Sequence, residues 1–255
     1  MVLYASGVKV LEKLSPQFLA TCRSKNGRLL RGEQMTRIET FVDAAFAFAF
    51  TMLVISIDQI PRSPAELIEL SRDIPSFVFS ALILGSIWMA HATWSETFGL
   101  RDRLTILLSL LLVILVLIFV YPIKLIMQTT VEFFAVNRDL EFFYTGLFES
   151  PGWSGAEASV IFEYVSVGLI LLSAILIAFY QNALRFGEEL SITDDEHRYC
   201  VTNSLIWGVV AVTATASFVI ANLFAESNIQ FAGFIYFSLL ITINLVTAMY
   251  SKFVP

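Results

Sequence analysis

Charged residues cut this chain into apolar runs of bilayer length, and that spacing constrains its fold more than any motif. Between Asp73 and Glu96 lie 22 residues without a formal charge, between Arg103 and Lys124 20, between Glu163 and Arg185 21, between Arg198 and Glu226 27, and between Glu226 and Lys252 25. Roughly 20 apolar residues at about 1.5 Å each cross the hydrocarbon of a membrane. Five spanning helices follow. With 57% hydrophobic residues and 15% charged ones among 255, the chain also carries more apolar surface than one soluble core of this length could bury.

A sixth crossing is expected before these five. Only 14 residues separate Asp43 from Asp58, too few to span unless charged neighbours are drawn in. A run so short reads by itself as a buried soluble helix; five neighbouring spans favour a crossing. The expected fold is an all-α integral membrane protein with helices at about 37–58, 74–95, 103–124, 160–184, 199–224 and 228–251. Residues 36–255 then form the membrane domain, and residues 1–35 an N-terminal segment.

Lys and Arg orient these crossings. Twelve fall on one side: seven from Lys9 to Arg37, then Arg101, Arg103, Arg185, Arg198 and Lys252. The other side holds four: Arg62, Arg72, Lys124 and Arg138. Both termini of a multi-pass membrane protein are therefore expected in the cytoplasm. Eleven acids on the outer side against four bases leave it at minus seven, a modest attraction for cations at short range. No signal-peptide h-region occurs in residues 1–35, so cleavage there is not expected. Positions 2–14 read either as an amphipathic surface helix or as a disordered tail.

Soluble enzyme chemistry finds no support. The chain has two histidines, His91 and His197, no Gly-rich phosphate loop and no credible nucleophile arrangement. Cys22 and Cys200 show no metal or redox spacing. Glu188, Glu189, Asp194, Asp195 and Glu196 form an acidic stretch that reads as a solvated loop in preference to a divalent-ion site. The outer connection from Lys124 to Ala158 is dense in Phe and reads as a segment at the membrane interface.

The informative charges stand at the mouth of the first span, RIETFVDAAFAFAFTMLVI. Arg37, Glu39 and Asp43 are costly in a bilayer unless partnered. Trp88, His91 and Trp94 of the second span are candidate partners. At about 100° per residue, Phe48, Thr51, Met52 and Ile55 share one stripe, with Asp43 about 140° from Phe48. One face can thus anchor the helix while the other meets a partner subunit or an axis. Ala44, Ala45, Ala47 and Ala49 permit close approach.

RIETFVD resembles the R-x-x-x-F-S-D signature of the endolysosomal potassium channel family and its prokaryotic relatives. WMAH in the second span and the third span running to Pro122 are similar too. Val42 stands where the motif has Ser, and Phe48 where relatives carry Ile or Leu. The resemblance implies six-helix subunits assembled as a homotetramer, with the first span of each lining a central pore. It places the constriction at Phe48, a polar layer at Thr51 and a second apolar ring at Ile55, with Met52 beside them. It gives Arg37, Phe41, Asp43, Trp88 and His91 an anchoring role, and leads to the expectation of an Asn near Thr105 and Ser109. The implied activity is passive, potassium-preferring cation conduction with no cofactor. Its expected partners are monovalent cations, lipid and further copies of the chain, and not nucleic acid. A proton-coupled transporter using Asp43, Glu39 and His91, and a non-conducting scaffold, are the alternatives. No span carries the mid-helix Gly/Pro break usual in such transporters.

Overall fold

The computed structural model describes residues 13–55, 60–149, 155–224 and 228–252. The expected surface helix at positions 2–14 falls almost wholly outside them. The described chain is helical apart from one two-stranded ribbon. A short helix, α1 (Pro16–Thr21), starts on Ser15, whose side chain accepts from the Phe18 amide. The ribbon pairs β1 (Ser24–Lys25) with antiparallel β2 (Arg28–Leu29). Its turn is Asn26-Gly27, both at positive φ, the geometry that a tight hairpin needs and that this dipeptide adopts readily.

The long helices follow: α2 (Arg37–Ile55), then the short α3 (Pro64–Ser71), α4 (Ile74–Phe98), α5 (Arg103–Asn137), α6 (Gly155–Arg185), the single turn α7 (Gly187–Leu190) and α8 (Asp194–Leu223). The last crossing is broken: α9 (Gln230–Phe234) passes through a 3-10 turn, Ile235–Ser238, into α10 (Leu239–Lys252). Three of these starts have a local cause. Ser63 caps α3 with Pro64 at its first position, Asp102 accepts from the Leu104 and Thr105 amides, and Thr193 with Glu196 forms a capping box on α8.

Among the described residues, five helical stretches are long and apolar enough to cross a membrane: α4, α5, α6, α8 and the stretch Gln230–Ala248. The protein is a multi-pass membrane protein. α2 differs from these five in carrying Arg37, Glu39 and Asp43 within its 19 residues. α5 is much longer than its uncharged run, because Lys124 lies inside the helix and is buried there by a partner. Phe133 and Phe134 therefore sit on α5, where their rings meet Phe234 and Phe237.

The main core joins four helices through Val42, Phe46, Ala49 and Leu53 of α2, Leu84, Ile87 and Trp94 of α4, Leu112, Val116 and Val120 of α5, and Leu176, Phe179 and Tyr180 of α6. A smaller cluster joins Ile126, Phe162, Val165, Ala221 and Ala232 of α5, α6, α8 and α9. Between helices in lipid this contact gains by close packing and not by release of water.

Residues 13–35 dock against one end of the bundle, called here the near end. The Arg31 and Gly32 amides donate to the Thr97 and Glu96 carbonyls at 3.2 and 2.9 Å. Gly99 closes α4 in the left-handed region at φ 58°, and its chain runs against Gly32, where any Cβ would lie 2.9 Å from the Gly99 Cα and closer still to the Ser95 carbonyl oxygen. Both obstacles are backbone. Gly32→Val is therefore expected to destabilise the protein by about 1–3 kcal/mol, measured as a lowered unfolding temperature in detergent, whereas Gly208→Ala, where a Cβ meets nothing within 4 Å, should not.

Candidate functional site at the first long helix

α2 has two faces. Val42, Phe46, Ala49 and Leu53 recur at helical spacing and are buried to 2% exposure or less against α4 and α5. On the opposite side Phe41, Ala44, Ala47, Phe48, Thr51 and Val54 are exposed, Phe48 at 56% and Phe41 at 51%. Phe41 and Phe48 are seven residues apart and so fall on one line. Met52 sits at the flank, half-buried against the core. Ile55 closes the described helix, and its side chain lies outside the described residues. The Thr51 hydroxyl donates back to the Ala47 carbonyl at 3.0 Å, leaving its oxygen lone pairs facing outward.

The exposed stripe differs in kind from the outer face of α5. There the exposed residues are Ile106, Leu107, Leu110, Leu111, Ile114 and Ile118, bulky aliphatics suited to lipid chains. Two alanines, a threonine and two phenylalanines make a face with small gaps and a hydroxyl. Small residues in membrane helices mark close packing against protein.

The charged mouth is partly stitched into the bundle. Glu39 accepts from the Thr36 amide and the Ser95 hydroxyl, while Thr36 returns a contact to the Glu39 amide at 3.4 Å. Asp43 accepts from Trp88 Nε1 at 2.8 Å, fixing α2 against α4. His91 is buried, 3.4 Å from Ser109 Oγ of α5, with its ring edge-on to Phe179 at 5.2 Å. An Asn of α6 meets the start of α5. Asn182 donates to Thr105 Oγ1 and Asp102 Oδ1 at 3.1 and 3.0 Å, and its own carbonyl oxygen is buried without a partner. Of the five residues read as an anchoring network, Asp43, Trp88 and His91 hold α2, α4 and α5 together. Arg37 and Phe41 are exposed and stand apart from these bonds. Trp88→Phe keeps the ring and removes the donor, and should cost about 1–2 kcal/mol in thermal unfolding, with no further loss when Asp43→Asn is added.

A second buried ion pair lies behind the mouth, where the acidic stretch had read as solvated. Arg31 and Glu196, side chains 1% and 0% exposed, meet in a two-pronged pair at 2.7 and 2.8 Å. Glu196 also accepts from the Leu29 amide at 2.7 Å and the Thr193 amide at 3.0 Å. Arg31 donates further to the carbonyls of Leu190 and Thr97. Beside it Arg28 covers the Tyr199 ring at 4.5 Å and reaches the Thr97 hydroxyl. This joins residues 28–31, and through them the start of α2, to α4 and α8. Among the described residues no cluster of His, Cys, Asp and Glu could hold a metal ion.

Residues 37–122, which carry α2, α4, the first part of α5 and the bonds from Asp43 to Trp88 and from Glu39 to Ser95, match the family model described as endosomal/lysosomal potassium channel TMEM175. That match takes in about a third of the chain. A protein of Marivirga tractuosa described as a potassium channel is 39% identical over 104 residues, covering 41% of this chain and 42% of that one. The chain thus matches somewhat under half the length of that relative. A crystal structure of a variant of the potassium channel MtTMEM175, in complex with a Nanobody-MBP fusion protein, superposes with a TM-score of 0.77 over 90% of this chain and 99% of that one. At 24% identity this shows a shared fold. The fold likeness extends well past residues 37–122 and takes in α6 and α8.

Proposed function

We propose that the chain is the subunit of a potassium-preferring cation channel in a prokaryotic cell membrane. In this reading six helices cross the bilayer, both termini are cytoplasmic, and four copies assemble so that the exposed stripe of α2 from each lines a central pore. Phe48 forms the constriction, Thr51 a polar layer just beyond it, Ile55 a second apolar ring, and Met52 backs them from the flank. Asp43, Trp88 and His91 fasten α2 within its own subunit, and Arg37 and Phe41 act in the contact between subunits.

One observation carries the reading: in a helix whose other face is buried in its own bundle, Phe48 and Thr51 are left exposed beside Ala44 and Ala47, small residues of the kind that mark close packing against protein. The match of this helix to the TMEM175 family and the shared fold with a potassium channel support it. An apolar ring stops ions by offering nothing in place of the water they shed; widening it rehydrates the path. The Thr51 hydroxyls replace part of that lost hydration. Passive conduction needs no cofactor and no covalent step. The test is potassium efflux from liposomes containing the purified protein, under an imposed gradient. Flux in the wild type that changes in the Phe48→Ala, Thr51→Ala variant is expected; flux that persists unchanged in that variant would overturn the assignment.

A further inference from the structure

The far end of α2, opposite the docked N-terminal segment, closes on a buried cation. Lys124 of α5 is 5% exposed, and its ammonium donates to the Leu53 carbonyl of α2 at 3.3 Å. The same ammonium pairs with Asp73, immediately before α4, at 2.9 Å. Asp73 is itself held by Gln128 Nε2 at 2.9 Å and by the Ser76 hydroxyl. Three helices therefore meet at one ammonium group. Contact with Leu53 does something more, since it ties α5 to the helix that bears Phe48 and Thr51, within the next turn and a half.

We propose that Lys124 is a positioning residue for conduction: by holding the Leu53 carbonyl it sets the tilt and rotation of the far half of α2, and hence how Phe48 and Thr51 face the axis. This rests on the channel reading above. Opening by rotation of α2 must stretch or break the Lys124 contact, so the ammonium acts against the movement that widens the ring.

The experiment compares wild type, Lys124→Met, Lys124→Arg and the pair Asp73→Asn, Lys124→Met, reconstituted in liposomes. The potassium-to-sodium permeability ratio, thermal unfolding and hydrogen exchange of the peptide covering 47–53 are measured. Lys124→Met should change the ratio by about threefold or more and speed exchange about tenfold, while Lys124→Arg stays within about twofold of wild type. Lys124→Met leaves Asp73 as a charge without its cation, whereas the neutral pair does not, so the pair should regain most of the thermal stability. Its permeability ratio should stay altered, because the Lys124 ammonium no longer holds the Leu53 carbonyl. That combination distinguishes positioning from simple stabilisation, and serves as the readout if Lys124→Met alone fails to fold. A pair variant that regains both stability and the wild-type ratio overturns the proposal, as do unchanged ratio and exchange in a folded Lys124→Met. A wild type that passes no cation overturns the channel reading itself, and the positioning role with it.

Discussion

Glu196→Gln is expected to cost about 3–5 kcal/mol of stability, the largest loss from any single exchange of similar size in this molecule. The substitution removes one charge and almost no volume. It leaves the Arg31 guanidinium, 1% exposed, without its carboxylate in a place water does not reach. The remaining acceptors for Arg31 are the carbonyls of Leu29, Leu190, Ser191 and Thr97, which carry only partial charge. Glu196 serves two further purposes, as the reciprocal cap of α8 and as acceptor for the Leu29 amide, and Gln can keep one oxygen for these. The penalty is therefore that of a stranded buried charge. Thermal unfolding in detergent checks it, and the double variant Arg31→Met, Glu196→Gln should be more stable than Glu196→Gln alone. If the double variant loses the sum of both single losses, the pair is not the unit described.

Phe48→Ala is expected to raise cation flux about tenfold or more at equal protein density, the equivalent of ~1.4 kcal/mol off the barrier. Phe48 is exposed in the single chain, so its truncation leaves no cavity in the main core and should move the unfolding temperature little. Phe46, two residues earlier and 2% exposed, supplies the contrast. Phe46→Ala should cost about 3–5 kcal/mol of stability, whatever it does to flux. Two phenylalanines on one helix thus separate packing from conduction. Similar flux from wild type and Phe48→Ala would mean that the narrowest point lies elsewhere.

The helices were legible where charge and apolarity alone decide them. Runs of 20 or more uncharged residues became α4, α6 and α8, because lipid leaves the backbone no other way to satisfy its hydrogen bonds. The same rule shortened α5. A lysine looks like the end of a span until its partner is known, and Asp73 lies 51 residues before Lys124 in another element. The pairing of Arg31 with Glu196 was hidden for the same reason, with 165 residues between them and a capping role that reads as purely local. Within α2, the two faces followed from the 3.6-residue period, and Trp88 was legible as a partner because a carboxylate in a short apolar helix needs a donor nearby. Asn182 was not, since the polar groups it meets, Thr105 and Asp102, are 77 and 80 residues away and any polar residue of α6 at that level would have served.

The central claim is that the exposed stripe of α2 faces a cation pathway. The most direct measurement places a cysteine at position 48, as Phe48→Cys, in a background with Cys22→Ala and Cys200→Ala, and records cation current across a bilayer while a positively charged thiol reagent is added. The account predicts that labelling at position 48, verified by mass, abolishes or strongly reduces the current, because the attached charge sits in the narrowest part of the path. Complete labelling with the current unchanged would contradict it.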